Sequence, residues 1–395
     1  MKILLLFHNQ VETGAYQKIL EMATSMSKVG CNVNLVMTSR KNRFRIKKYV
    51  YNQVHIYEMP DLLWGRLRQG IDPWNLIVRI ICLAFKKFDI IHAVDCRPVV
   101  IIPALVLNKI FNTPLVISWW DLFGRGGTAF ERSGFIYSIT LGKIETFFEE
   151  YFRRFANHSI VDTIFLEQRL IELNYPPNQI SILRIGCDLT TRDTMSKVTL
   201  REEFNYFSNE KIFYCLGTLF DSDLTLLVEA LKIVKIINLT LPKVIITGNY
   251  SISPAICKNL NLELTGRLPL FNEVLKYLNI ADFGLLPMRC SIANIARWPS
   301  KSSDYLGSRL PIITTPVSDF PTIFKKYNIG VISKNDTPES FAEAIIAAMN
   351  ISLIDRENMI LSISDFVNAE LDWKIISKNT LKIYHKLLPL SETSA

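Results

Sequence analysis

Short runs of consecutive apolar residues, each giving way to an amphipathic stretch and then to another apolar run, recur along the whole of this chain. Residues 3–7 form the first run, of the length and continuity expected for a strand buried on both faces of a parallel sheet. Residues 15–29 carry helical spacing through Ile19, Met22, Ala23 and Met26 and stop at Gly30, and residues 32–38 form the next run. The rhythm continues through 90–93, 99–111, 115–118, 159–161 and 180–185. It restarts at 212–216, 224–234 and 244–247, then at 283–287, 301–306 and 312–314. Two successive α/β series predict two Rossmann-like, doubly wound domains, and 395 residues exceed what one hydrophobic core usually serves. A loop rich in Thr, Asp and Lys over residues 188–208 reads as the junction. It divides the chain into domains 1–200 and 201–368. Residues 369–395, beyond a break near 365–372, read as a helix returning to the first domain.

No run reaches the roughly 20 apolar residues of a spanning helix. The nearest, residues 76–85 and 99–111, are interrupted by Arg79 and Pro103 and read as buried helices. The stripe Ile144, Phe147, Phe148, Tyr151, Phe152 and Phe155 has helical spacing and reads as core. The opening residues read as a strand and not as a signal peptide. Seven scattered cysteines form no Cys-x-x-Cys pair, and five scattered histidines show no ligand spacing, so neither a disulfide framework nor a zinc site is expected. A reducing, cytoplasmic location suits this usage. The net charge of +8 arises entirely in residues 1–200, which hold 25 Lys and Arg against 17 Asp and Glu. Arg40, Lys41, Arg43, Arg45, Lys47 and Lys48, interleaved with Phe44, Tyr49 and Tyr51, concentrate it. That patch reads either as a solvated loop or as a peripheral contact with an anionic membrane, and no nucleic-acid module accompanies it.

In open parallel sheets ligands bind beyond the carboxyl ends of strands. The most informative such place is the stretch 293–311, after the run ending at Leu286 and Pro287. Backbone N–H groups near Ser300 open a helix there and can cradle a phosphate. Lys301 adds a point charge, Arg297 a planar fork, and Asp304, one turn on, a carboxylate able to hold two ribose hydroxyls. The competing reading is an ordinary helix start with surface charges. Asp221-Ser222-Asp223 has the look of a metal-binding Asp-x-Asp, but in this context reads as structural or solvated.

The segment ANIARWPSKSSDYLGSRLPIITTPVSDFPTIF (293–324) resembles the donor loop and helix of glycosyltransferase family 4, retaining enzymes of GT-B architecture. Its Trp-Pro-Ser-Lys, Asp-Tyr-Leu and following Pro are similar to one subgroup. Weaker matches, in order, include VETGA (11–15), FDIIHAVD (88–95), PLVISWWDLFGRGG (114–127), ELTGRLPLFNEVLKYLNIADFGLLP (263–287) and DWKIISKNTLKIY (372–384). The resemblance implies two Rossmann-like domains facing a cleft and a nucleotide-sugar donor, with no metal or other cofactor. It places Gly14 and Ala15 by the donor phosphates or sugar, and Gly217 in the diphosphate loop. It sets Arg267, with Gly266, at the nucleobase, Asp304 on the ribose, and Lys301 and Ser300 on the phosphate side.

Departures accompany it. The first carboxylate of the family's paired-acid motif falls on Ala296, for which Asn294 is the substitute at hand. The cations of the diphosphate clamp fall on Thr218 and Asp223. Either Arg297, Lys301 and Arg125 replace them, or the donor is held weakly or not at all. Asp121 and Arg125 are the expected catalytic groups, with Trp119, Trp120, Gly126 and Gly127 walling the acceptor through a mobile loop. The implied reaction moves a sugar to a glycan or lipid-linked glycan with retention of configuration. A non-catalytic scaffold for an active partner and a sugar-nucleotide epimerase are the alternatives.

Overall fold

The computed structural model describes residues 1–63, 70–131, 134–189, 197–217, 219–238, 240–268 and 270–388. Thr218 lies outside them. The chain forms two compact units, Met1–Gly186 with Trp373–Ala395, and Cys187–Asp372.

The first unit is built on β1 (Lys2–Gln10), β2 (Asn32–Thr38), β3 (Lys47–Tyr51), β4 (Val54–Met59), β5 (Ile90–Val94), β6 (Leu115–Trp119), β7 (His158–Val161) and β8 (Ile180–Ile182). They pair in the order β3-β4-β2-β1-β5-β6-β7-β8, all parallel except β3. Ile3 to Phe7 and all of β5 and β6 are buried, as strands covered on both faces must be. Part of the basic patch is strand: Lys47 and Lys48 lie on β3, the antiparallel edge, where lysines discourage further pairing. The helix Trp373–Leu387 belongs to this unit: the Trp373 indole donates to Glu21 (3.0 Å), and Ser377 to Ser25 (2.9 Å). Tyr384 and His92 on β5 share a 2.6 Å hydrogen bond.

The second unit is a six-stranded, all-parallel sheet of β9 (Ile212–Cys215), β10 (Lys243–Thr247), β11 (Leu262–Gly266), β12 (Phe283–Leu286), β13 (Ile312–Thr314) and β14 (Gly330–Ile332). Its order is β11-β10-β9-β12-β13-β14. The helices Asp221–Ile237 and Pro338–Met349 cover the core of Phe213, Leu227, Ile246 and Phe283.

The divisions fall after Gly186 and Asp372, where the sequence placed them after residues 200 and 368. The helix Lys197–Glu203 explains the first difference. Lys197 and Arg201 pair with Asp282 at 2.6 and 2.9 Å, fastening the junction segment to the second sheet. Cys187 bridges to Asp372, so both edges of the second unit meet there.

Two helices of the first unit lie opposite to expectation. In Leu141–Tyr151 the polar residues Glu145, Thr146 and Glu149 are buried, while Ile144 and Phe147 of the aromatic stripe are half exposed. The hydrogen bonds of the two glutamates, described below, outweigh burial of the rings. In Pro73–Leu83 Asn75 and Arg79 point inward, and Ile77 and Ile81 face solvent, as does Phe85 just beyond.

Candidate functional site

In the first unit the carboxyl ends of β1, β5 and β6 bring together His8, Asp95 and the segment 119–127. Asp95 follows β5 directly and sits at φ +65°, a left-handed backbone that a non-glycine residue adopts at a cost. Its Oδ1 accepts from the Trp120 N–H (3.1 Å), and its Oδ2 lies 3.9 Å from His8 Nδ1. Burial, with the charge of Asp121 adding to it, pushes the Asp95 carboxyl up to about 7. Asp121 is half-buried beside it. A carboxyl titrating near neutrality next to an imidazole and a second carboxylate can take or give a proton at working pH. Sequence reading missed Asp95 and His8. Asp95 closes the FDIIHAVD segment, and its place immediately after a buried strand was the available signal.

The expected mobile loop is anchored. Glu149 accepts from the N–H groups of Phe123 (3.0 Å) and Gly124 (2.6 Å) and from the Trp119 indole (3.0 Å). A Cβ at Gly127 would stand 2.1 Å from the Leu122 carbonyl oxygen, so this glycine serves close packing. Gly126 has φ +75° in the same turn. Trp119 is fully buried with the Arg153 guanidinium 3.9 Å over its ring, and Trp120 is nearly so. Both rings are thus packed inside the unit, where the sequence placed them along an acceptor wall. Arg97 pairs with Glu145 and covers the Phe123 ring at 4.0 Å. Arg125 is exposed, 3.6 Å from Glu150. It lines a cavity of about 670 Å³ with Phe130, Lys143, Phe147, Tyr151 and Tyr175. Gly14 and Ala15 open the helix Gly14–Lys28, just past the end of β1.

In the second unit Gly217 follows β9 at φ +68°. A Cβ placed there would lie 3.4 Å from Lys301 Cε, so the lysine chain runs directly under this loop. Burial lowers the Lys301 pKa and Arg297 adds to that; Cys215, Asp223 and Asp304 oppose it. Lys301 and Asp304 share the helix Ser300–Gly307, which begins at Ser300. Its Tyr305 hydroxyl accepts from the Leu216 N–H (2.7 Å) and donates to the Leu285 carbonyl (3.0 Å), tying the helix to β9 and β12. Tyr250 holds the other side of the loop, donating to the Gly217 carbonyl (2.5 Å). From sequence Tyr305 entered only as part of Asp-Tyr-Leu, and Tyr250 was not singled out. Gly266, at φ +70°, borders a cavity of about 290 Å³ with Gly248, Asn249, Tyr250 and Ser251, and Arg267 beside it is exposed.

Other expectations change. Asn294 is buried, its Nδ2 donating to the Arg289 carbonyl (2.9 Å) and its Oδ1 accepting from Arg297 (2.8 Å). It braces the loop, and Arg297 is bonded to it. Ala296 is fully buried. Asp223 accepts from the Arg289 N–H (2.9 Å), so the acid at the clamp's position positions the loop after β12. Lys301 is the cation that the structure brings to the Gly217 loop.

Residues 210–350 match the family described as Glycosyl transferases group 1. The whole chain is similar to sucrose-phosphate synthase from Thermosynechococcus elongatus, with TM-score 0.75 at 12% identity over 98% of this chain and 99% of that one. A glycosyltransferase from Rickettsia africae gives TM-score 0.71 at 15% identity over 99% of each chain. HepE of Anabaena, solved with UDP and glucose, gives 0.67 at 12% over 98% of this chain and 100% of that one. No curated protein sequence matches the chain. The fold is GT-B, two parallel-sheet Rossmann-like units, and with a group 1 domain in the second the chain is a glycosyltransferase.

Proposed function

We propose that the chain is a family 4 enzyme moving a sugar from a nucleotide-sugar donor to a hydroxyl of a glycan or lipid-linked glycan, with retention of configuration. The observation that carries this is Lys301 beneath the Gly217 loop, with Asp304 one turn along the same helix. A charge on the first turn and a carboxylate on the second suit a diphosphate and a ribose. HepE, which shares the fold, was solved with UDP and glucose. The bond from the anomeric carbon to the diphosphate breaks as the bond to the acceptor oxygen forms. The acceptor proton passes to the departing phosphate oxygen on the same face. Lys301 and the helix amides offset the growing charge without reorganising. Asp95 and Asp121 orient the acceptor hydroxyl. No metal or cofactor takes part. The protein works in the cytoplasm, and peripheral contact with anionic lipid through residues 40–48 belongs to the same reading.

Calorimetric titration with a panel of nucleotide sugars tests the donor site. One donor is expected to bind at submillimolar Kd, with Lys301→Ala and Asp304→Ala each weakening it about 10- to 100-fold. Silence across the panel overturns the enzyme reading in favour of a scaffold, to which the buried Ala296 and the loop-bracing Asp223 would then belong. Anomeric coupling constants of the product decide between retention and inversion.

A further inference from the structure

The helix Pro73–Leu83 cannot roll. Asp72 caps its first turn, Asn75 Nδ2 donates to the Pro60 carbonyl (2.7 Å), and Arg79 donates to Asn75 Oδ1 (2.7 Å) and Thr38 Oγ1 (3.1 Å). Both Asn75 and Arg79 are fully buried, and turning them outward would break these bonds in a dry interior. The opposite stripe of Trp74, Ile77, Ile81 and Phe85 therefore stays on the surface, with Phe85 91% exposed. This stripe continues the basic segment. Phe44, 70% exposed, meets the Trp74 ring edge-on at 6.5 Å, and the Trp74 indole donates to the Arg43 carbonyl (2.9 Å). Arg43, Arg45, Lys47 and Lys48 are exposed beside it, and Lys87 is exposed beyond Phe85.

We propose that this face docks on an anionic lipid bilayer, with Phe44, Ile77, Ile81 and Phe85 entering the interface and the cations at the headgroup phosphates. A helix with an outward apolar stripe, a tryptophan at its edge and a cationic flank has the form that lies in such an interface. Lipid is favoured over a second copy by charge: another copy would bring the same cations to the contact. The inference deepens the peripheral contact proposed above and rests on it. It names the inserting element, which the basic residues alone do not.

Co-sedimentation of the full chain with vesicles of phosphatidylcholine alone, or with phosphatidylglycerol added, tests it. Binding is expected on the anionic vesicles. The triple variant Ile77→Ser/Ile81→Ser/Phe85→Ser is expected to lower the partition coefficient at least about tenfold, and Phe85→Ser alone about threefold. The single change, at a side chain already in solvent, guards against a folding failure in the triple. Wild-type partitioning in both variants, with loss only in Lys47→Gln/Lys48→Gln, overturns the stripe's role and leaves the basic contact standing. Absence of binding to either vesicle overturns both. So does a dimer that the triple variant dissociates, with no vesicle binding. Loss of binding only on replacing Phe135, Ile136 and Phe147, another exposed apolar group of this unit, assigns docking there and overturns the proposal.

Discussion

Asp95 is a carboxylic acid in a place that resists its charge, and this gives it a pH signature. Its pKa near 7 lies above the ordinary 3.8, so the folded chain holds a proton there that the unfolded chain releases. The stabilising contribution is full below about pH 4 and is lost as pH rises through 7. Thermal unfolding between pH 5 and 8 should therefore show a steeper fall for the wild type than for Asp95→Asn. The same substitution should remove an inflection near neutrality from the pH profile of transfer. Equal slopes and an unchanged profile would mean that Asp95 is ionised throughout. Lys301 shows the complementary case, a cation whose ordinary pKa is lowered by burial yet which sits beside Asp223 and Asp304.

A helix that buries its glutamates and exposes its phenylalanines is understandable only through what the glutamates hold. Glu149 uses two oxygens to receive three N–H groups, and an amide has one acceptor oxygen for the same task. Glu149→Gln should therefore cost about 1–3 kcal/mol in urea unfolding and loosen the 123–127 loop to protease, while donor binding by the second unit stays unchanged. Here the limits of reading the sequence are plain. Period 3.6 identified the Leu141–Tyr151 helix, but not which of its faces is inside, because the partners of Glu145 and Glu149 are remote in sequence: Arg97, Trp119, Phe123 and Gly124. The strands were legible, since burial on both faces leaves continuous apolar runs such as residues 3–7. The helix start that carries Lys301 and Asp304 was legible because a motif and a Pro-Ser step coincide there. The partners of Asn294 were not legible, because nothing in its spacing shows that Arg289 and Arg297 bond to its amide.

At the scale of the whole molecule, the last helix completes the first sheet. Trp373, Ile376, Ile383 and Tyr384 are buried, and Tyr384 supplies the hydrogen bond to His92, whose pKa burial lowers to about 3. Ending the chain at Asp372 uncovers the face of the helix Gly14–Lys28 that carries Glu21 and Ser25. Such a truncation should cost more than about 5 kcal/mol, enough to leave the product insoluble or rapidly cleaved by trypsin within residues 1–186. Tyr384→Phe, which removes only the hydroxyl, should lower stability by about 1 kcal/mol and remain soluble.

That returning helix also sets an order of events during synthesis. Strands β1 to β8 have all been synthesised by residue 182, but the segment that covers them begins at Trp373, after the entire second unit. At about 5–20 residues per second, the nascent first unit waits on the order of ten seconds or more with an apolar flank open. In that interval the second unit, continuous in sequence, can close on its own. The N-terminal half of the polypeptide is thus the later to mature, and the more dependent on chaperones while it waits.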